Sequence, residues 1–495
     1  MSDALTAEQA TAVAAAGSVA VVAGAGTGKT KLLAHRYLHH LDQGFSPLEV
    51  VAVTFTEKAA DELRSRIRSL VRGPRPEYRR AAVEIEAAQI STIHALAARI
   101  CREHPAAAEV APDFAILDDL DSVIWRAERL EEAIVALPPT ILDELDIGTL
   151  RFVLDRLLKD PLAAGAALSH GPEQWRALLE REKASALRAV IAAAAWAEGR
   201  STLENYSGAA HDKGEVARLA CLRAMTAFET GDAAAALEAV NSFRANAGQL
   251  GNWAGGGLAE VKAALKTIKD LLKDACDKDG RALLEWGPAD DELARLLPLL
   301  RDAFQAASAH MEAARLRDRK LDFTALEVHA LRALANPEVV AYYARRWRAI
   351  LVDEFQDTNR AQAELLDRLR EAAEVTVVGD EKQAIYGFRG ADVTIFRRYR
   401  EELIRAGGGE VVLAHTFRSH EGLVAEFEGV FPTLLGDLHQ SLRAARLQTP
   451  GTGPYLTFHP VVVSHGKARK LAKRLSEAHV IAGLIADLVA AKTPI

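Results

Sequence analysis

Val19-Ala-Val-Val22, followed by Ala23-Gly-Ala-Gly-Thr-Gly-Lys-Thr30, is the stretch that decides the fold. A short, continuous apolar run rich in valine predicts a strand buried on both faces. The residues from Thr30 through Leu41 have helical composition, so the order is strand, glycine-rich loop, helix. In that context a Walker A phosphate loop becomes credible. Gly24, Gly26 and Gly28 let backbone N–H groups turn inward around phosphate oxygens at a helix N-terminus, with Ala25 and Thr27 between them. Lys29 is placed for the β- and γ-phosphates, and the Thr30 hydroxyl for Mg2+. The strict GxxxxGK[ST] pattern fails at its first glycine, where Ala23 stands. A glycine-rich turn that merely opens a helix is the competing reading.

Outward from this stretch, four more apolar runs follow the same plan: Val50–Val53, Ala349–Val352, Val375–Val378 and Val411–Leu413. Each is continuous, not alternating, and each gives way at once to polar, charged or glycine-bearing residues. Together they predict an α/β protein with a parallel sheet, its chemistry at the carboxyl ends of the strands. Between about Pro112 and Arg345 no such run occurs. Alanine, leucine, arginine and glutamate dominate there with helical periodicity, as in Trp175–Ala197 and Leu258–Asp274, predicting an all-helical insertion. The glycines at 248, 251 and 255–257 read as a loop between two of its helices.

The length of 495 residues suggests roughly three domains at about 100–200 residues each. With 49% hydrophobic and 26% charged residues the composition is that of a globular protein, which excludes a disordered or fibrous chain. Cys101, Cys221 and Cys276 are far apart and form no CxxC, so neither a disulfide framework nor a zinc site is expected, and a cytoplasmic setting fits. The stretch Ala12–Gly26 has no basic flank and is too rich in alanine and glycine to be a signal peptide or a membrane span. A net charge of −7 excludes a uniformly basic coat, so any nucleic-acid contact must come from local patches.

Ala349-Ile-Leu-Val-Asp-Glu354 ends a buried strand in two acids. Asp353 is placed to hold Mg2+, and Glu354, on the opposite face of the strand end, to deprotonate an attacking water. Alone, such a pair could be acids stabilising a helix N-terminus. With the phosphate loop it specifies Mg-dependent nucleoside triphosphate hydrolysis. The next strand end runs Val378-Gly-Asp-Glu-Lys-Gln-Ala-Ile-Tyr-Gly-Phe-Arg-Gly-Ala391. Gln383 suits a group touching both a γ-phosphate and a water. Tyr386 and Phe388, beside Arg389, offer rings on which bases stack for about 1–3 kcal/mol each. An aromatic core cluster competes with that reading, and Gly387 and Gly390 favour an exposed loop. Thr54-Phe-Thr56 caps another strand ahead of Lys58, Arg64, Arg66, Arg68 and Arg72, and Ser91-Thr-Ile-His94 precedes a helix. Hydroxyls at helix N-termini suit phosphodiester oxygens, and Phe55 suits a base. A merely solvated basic face explains the arginines equally well. Arg397, Arg398 and Arg400 add a second basic stretch.

The order of these motifs resembles the UvrD/Rep class of superfamily 1 DNA helicases, from Leu5 to about Val489. Leu5-Thr-Ala-Glu-Gln9 is similar to the family's Q motif, which implies that Gln9 reads the adenine edge and favours ATP. Residues 23–30 (AGAGTGKT) resemble motif I, in which alanine at position 23 is usual. Residues 54–67 (TFTEKAADELRSRI) resemble motif Ia, implying Phe55 on DNA and Arg66 near the nucleotide. Residues 90–100 (ISTIHALAARI) resemble the next DNA-contacting motif, implying Thr92 and His94 at the strand. Residues 351–359 (LVDEFQDTN) resemble motif II and residues 378–391 motif III. Leu413-Ala-His-Thr-Phe-Arg-Ser419 resembles motif IV, implying Phe417 on adenine and Arg418 on the γ-phosphate, with Thr416 where the family usually has asparagine. The ISTIHA wording, the long insertion and Leu321-Asp-Phe323 lean towards the helicase–nuclease (AddA/RecB-like) subunits of bacterial break-repair complexes.

The resemblance implies a RecA-like P-loop domain at residues 1–111 and 336–394, a helical insertion at 112–335, and the start of a second RecA-like domain at 395–495. It implies ATP and Mg2+ as cofactors, single-stranded and tailed duplex DNA as partners, and a second helicase/nuclease subunit, with no membrane. The later motifs, including a second arginine for the γ-phosphate, are not found. After Ser419 the sequence offers a strand at Tyr455–Val463 and an amphipathic helix at Lys467–Ala491, and the chain reads as the front half of a longer one. Two activities fit: a 3′→5′ ATP-dependent DNA helicase of repair and recombination, or an ATP- and DNA-binding module without autonomous unwinding. A P-loop ATPase acting on protein or metabolite leaves the aromatic and hydroxyl clusters unexplained.

Overall fold

The computed structural model describes residues 4–72, 78–253, 256–387, 390–446, 455, 456, 458, 459, 461 and 470–490. The chain divides into two compact units, Met1–Ile116 with Ala325–Ile495, and Leu117–Thr324.

The first unit is built on a six-stranded parallel sheet. In chain order its main elements are α1 (Ala7–Ala14), β1 (Val19–Ala23), α2 (Lys29–Asp42), β2 (Val50–Thr54), α3 (Glu57–Val71), β3 (Ile90–Thr92), α4 (Ile93–Glu103), α5 (Phe323–Leu334), β4 (Ala349–Val352), α6 (Arg360–Leu369), β5 (Glu374–Gly379), α7 (Val393–Arg405), β6 (Gly409–Leu413) and β7 (His415–His420). The spatial order is β3-β2-β4-β5-β1-β6, with every pairing parallel. All six carboxyl ends therefore meet one edge, where open α/β sheets bind ligands. The five apolar runs are all strands of this sheet, and β1, β2 and β4 are buried throughout. The sixth strand, β3, is only three residues long and contains Ser91 and Thr92, so no apolar run announces it. Val411–Leu413, placed by the sequence reading in a second domain, pairs with β1 instead, with Val411 beside Val21.

Leu32, Leu33 and Tyr37 of α2 and Leu63 and Ile67 of α3 are buried in the cluster that covers one face of the sheet. The N-terminal helix is anchored by Arg36, which is fully buried. Its guanidinium donates to the carbonyls of Val13, Ala15 and Gly17 at 2.5–2.8 Å, satisfying groups that the end of α1 leaves without helical partners. Residues 455, 456, 458, 459 and 461 are not in a strand, and the rest of Tyr455–Val463 lies outside the described residues. The C-terminal helix runs Lys470–Ala490.

The second unit is helical, with two apolar clusters. One is formed by Asp119–Val135, Ile147–Leu157 and the long helix Pro288–Asp318. The other is formed by Lys213–Glu229, Ala233–Asn241 and Leu258–Lys273. The expected helix at Trp175–Ala197 is two helices, Pro172–Ile191 and Ala194–Asn205, broken at Ala192 and Ala193. All three cysteines are buried and free, and burial pushes the Cys101 and Cys221 thiols up to about 12. No helix among the described residues is long and apolar enough to cross a membrane.

Candidate active site

The phosphate loop leaves β1 at Ala23, which is fully buried and pairs with Leu413 as an ordinary strand residue, so nothing there requires glycine. Gly26 and Gly28 do require it, with φ of +73° and +82°. The Thr27 hydroxyl donates to the Gly24 carbonyl at 2.8 Å, and Gly28 caps α2 without a side-chain acceptor. The first-turn N–H groups of α2 therefore face an anion site, reinforced by the helix dipole. Thr30 is half-buried in that same turn.

Two segments brace the loop. Gln9 is buried, and its amide closes a capping box with Thr6 while donating to the Thr27 carbonyl at 2.9 Å. From the other side, β7 lies directly against it. The Phe417 N–H donates to the Gly26 carbonyl at 2.7 Å, and the Thr416 hydroxyl to the Ala25 carbonyl at 3.1 Å. The buried threonine thus supports the loop where asparagine is usual. Glu8 on α1 bonds His415 at 3.0 Å, tying the two braces together.

Lys29 Nζ donates to Glu354 Oε2 at 2.5 Å. The backbone does not continue as strand into Glu354. Its φ is +51°, a left-handed conformation that costs a non-glycine residue about 1–3 kcal/mol. That turn, and not strand alternation, aims the carboxylate at Lys29. Asp353 is buried beside it, and burial, with the Glu354 carboxylate second, pushes its carboxyl up to about 7. The same two causes raise Asp357 to about 6, and Asp357 Oδ1 has no hydrogen-bond partner among the described residues. Gln356 then relays outward. Its Nε2 donates to Glu354 at 2.9 Å, its Oε1 accepts the Asp380 N–H at 2.9 Å, and Asp380 accepts from Gln383 Nε2 at 2.8 Å.

Three residues beyond Gln383, the Tyr386 ring packs against Phe55 with centroids 4.8 Å apart, joining the ends of β2 and β5. Phe388 and Arg389 lie outside the described residues. The Thr54 hydroxyl donates to the Thr56 carbonyl and the Thr92 hydroxyl to Glu57, so both protons are engaged within the protein. His94 Nε2 is 3.1 Å from Glu327. Arg66 pairs with Glu62 on α3, and Arg68 and Arg72 both reach Glu86. Arg397 and Arg400 pair with Glu381, so much of the apparent basic surface is neutralised locally. Arg418 is exposed on β7, its Cβ so close over Gly26 that a Cβ there would lie 2.4 Å away.

Residues 5–403 match the family described as the UvrD/REP helicase N-terminal domain. The chain belongs to that family. Similar curated proteins include an ATP-dependent helicase/nuclease subunit of Pelotomaculum thermopropionicum, 29% identical over 88% of this chain and 39% of that protein. The protein of the same name from Alkaliphilus oremlandii is 29% identical over 90% of this chain and 41% of its own length. That from Bacillus cereus is 26% identical over 85% and 38%. The chain spans about two fifths of the length of these curated relatives. Within this UvrD/REP domain, Gln356 and Asp380 were missed as connecting groups although each lies inside a recognisable motif. Glu327 carries no such signal.

Proposed function

We propose that the chain is the ATP-hydrolysing motor part of a 3′→5′ DNA helicase of repair and recombination, stimulated by single-stranded DNA. The relay Glu354–Gln356–Asp380–Gln383 carries this reading, because it links the acid at the phosphate loop to the segment bearing the Tyr386–Phe55 pair. In this proposal the loop N–H groups of residues 23–30, with Lys29 and Arg418, hold the phosphates of ATP. Phe417 flanks the adenine and Gln9 its edge, with Arg66 near the nucleotide. Glu354 takes the proton of the attacking water, oriented with Gln383. Thr30 and Asp353 fit Mg2+, since this ion takes one or two carboxylates plus phosphate oxygens and needs no cage of protein ligands. When bound it neutralises charge developing on the phosphates.

Phe55, Tyr386, Phe388 and Arg389 meet the DNA through rings and charge, and Thr54, Thr92 and His94 shape the strand ends that carry them. We place the helical insertion at residues 117–324 and keep β6 in the first motor domain, so that the second begins beyond Leu413. The relatives are named as one subunit of a helicase/nuclease, which supports a second chain as partner.

The test is phosphate release from ATP with and without oligo(dT), followed by strand separation on duplexes with 3′ or 5′ tails. Stimulation by the oligonucleotide, abolished by Lys29→Ala, with separation of 3′-tailed duplex only, is expected. No stimulation overturns the proposal. Stimulation without separation is the behaviour of the alternative, an ATP- and DNA-binding module lacking autonomous unwinding.

A further inference from the structure

Glu327 sits on α5, outside all the helicase motifs, with its side chain buried. Its two oxygens are shared among groups from separate strand ends. Oε1 lies 3.1 Å from His94 Nε2, in the first turn of the helix that follows β3. The same oxygen accepts Gln362 Nε2 at 2.6 Å, and Oε2 accepts Asn359 Nδ2 at 3.0 Å. Asn359 and Gln362 are the two members of the capping box that opens α6, five residues beyond Glu354. Asn359 also forms a backbone bridge with Ala391, and the Asp392 N–H donates to the Thr358 carbonyl at 3.3 Å. The segments after β3 and β4 therefore converge on one carboxylate, and the segment after β5 joins them through the backbone of Thr358 and Asn359.

A buried carboxylate that accepts from two side-chain amides and lies 3.1 Å from an imidazole fixes their relative positions more tightly than an apolar side chain does, because its loss leaves the buried Gln362 amide without this acceptor. None of its three partners belongs to its own helix. A shift of the Phe355–Gln362 segment, which begins next to Glu354, moves Asn359 and Gln362, and through the shared oxygens it moves His94. We propose that Glu327 is a positioning residue that couples the nucleotide-side acid Glu354 to the DNA-side group His94. This rests on the function proposed above.

The test compares the wild-type chain with Glu327→Ala and Glu327→Gln. Fluorescence anisotropy gives the Kd for labelled oligo(dT), with and without Mg2+ and a non-hydrolysable imido analogue of ATP. Coupling between two such sites is typically about 5- to 150-fold in affinity. In Glu327→Ala the ratio of the two Kd values is expected to fall to near one, while each ligand alone binds as in wild type. Glu327→Gln keeps one acceptor oxygen and should retain an intermediate ratio. It also carries the test if the alanine variant does not fold, since a wild-type ratio in it then refutes the proposal. An unchanged ratio in Glu327→Ala overturns the proposal, even if both affinities drop, because that is a purely structural effect. A wild-type chain whose DNA affinity ignores the nucleotide analogue overturns the coupling itself. Failure of the wild type to bind oligo(dT) at all overturns the function on which it rests.

Discussion

Replacing Gly26 by alanine should disable the phosphate loop, whereas the same change at Gly24 should not. At Gly26 two effects add. The φ of +73° is left-handed, which costs an L-residue about 1–2 kcal/mol. The new Cβ would also lie 2.4 Å from Arg418 Cβ and 3.1 Å from Arg418 N, atoms fixed by the backbone of β7. Relief requires β7 to move away, which breaks the 2.7 Å bond from Phe417 N–H to the Gly26 carbonyl, a further loss of about 1 kcal/mol. The sum of about 2–3 kcal/mol, charged against the binding-ready loop, weakens ATP binding about 30- to 140-fold. Gly24 has no positive φ, and its nearest neighbour would be a Leu442 methyl at an ordinary 3.6 Å. Titration of a fluorescent ATP analogue into both variants, with urea unfolding as a check on global stability, measures the contrast. Equal affinities for Gly24→Ala and Gly26→Ala would refute the reasoning.

Glu354→Gln keeps shape and removes the proposed base, so ATP should still bind while turnover drops about 100- to 10,000-fold; single-turnover phosphate release at wild-type rate would remove Glu354 from that role. His40 is fully buried, and burial, with Arg36 second and His39 third, holds its imidazole down to about 3. The unfolded chain takes up this proton below its ordinary 6.5 and the native state does not, so stability falls as pH drops through that window. The loss approaches about 1.4 kcal/mol per pH unit. Urea midpoints between pH 7.5 and 5 should fall less steeply in His40→Phe, and parallel slopes would show that His40 is not the group responsible.

The sheet was legible in the sequence because parallel strands buried on both faces leave unbroken apolar runs, as at Val19–Val22 and Ala349–Val352. Ile90–Thr92 escaped notice because a three-residue strand at the sheet edge can end in hydroxyls. Val411–Leu413 was recognised as a strand, but pairing partners are set by tertiary contacts and not by composition. The phosphate loop and the Asp353–Glu354 pair were legible as motifs, since they are contiguous. Relations across distance were not. The arginines of α3 read as a basic face because Glu86, which neutralises Arg68 and Arg72, is more than a dozen positions away. The carboxylate of Glu327 meets its partners only after folding.

With Glu354 as the base proposed above, its left-handed backbone sets stability against turnover at a single position. Glycine or asparagine tolerates that conformation with less strain, so selection for heat tolerance alone, with no demand for ATP hydrolysis, should favour losing this carboxylate early. A library screened only for folding should therefore enrich at position 354 the substitutions that an activity screen rejects.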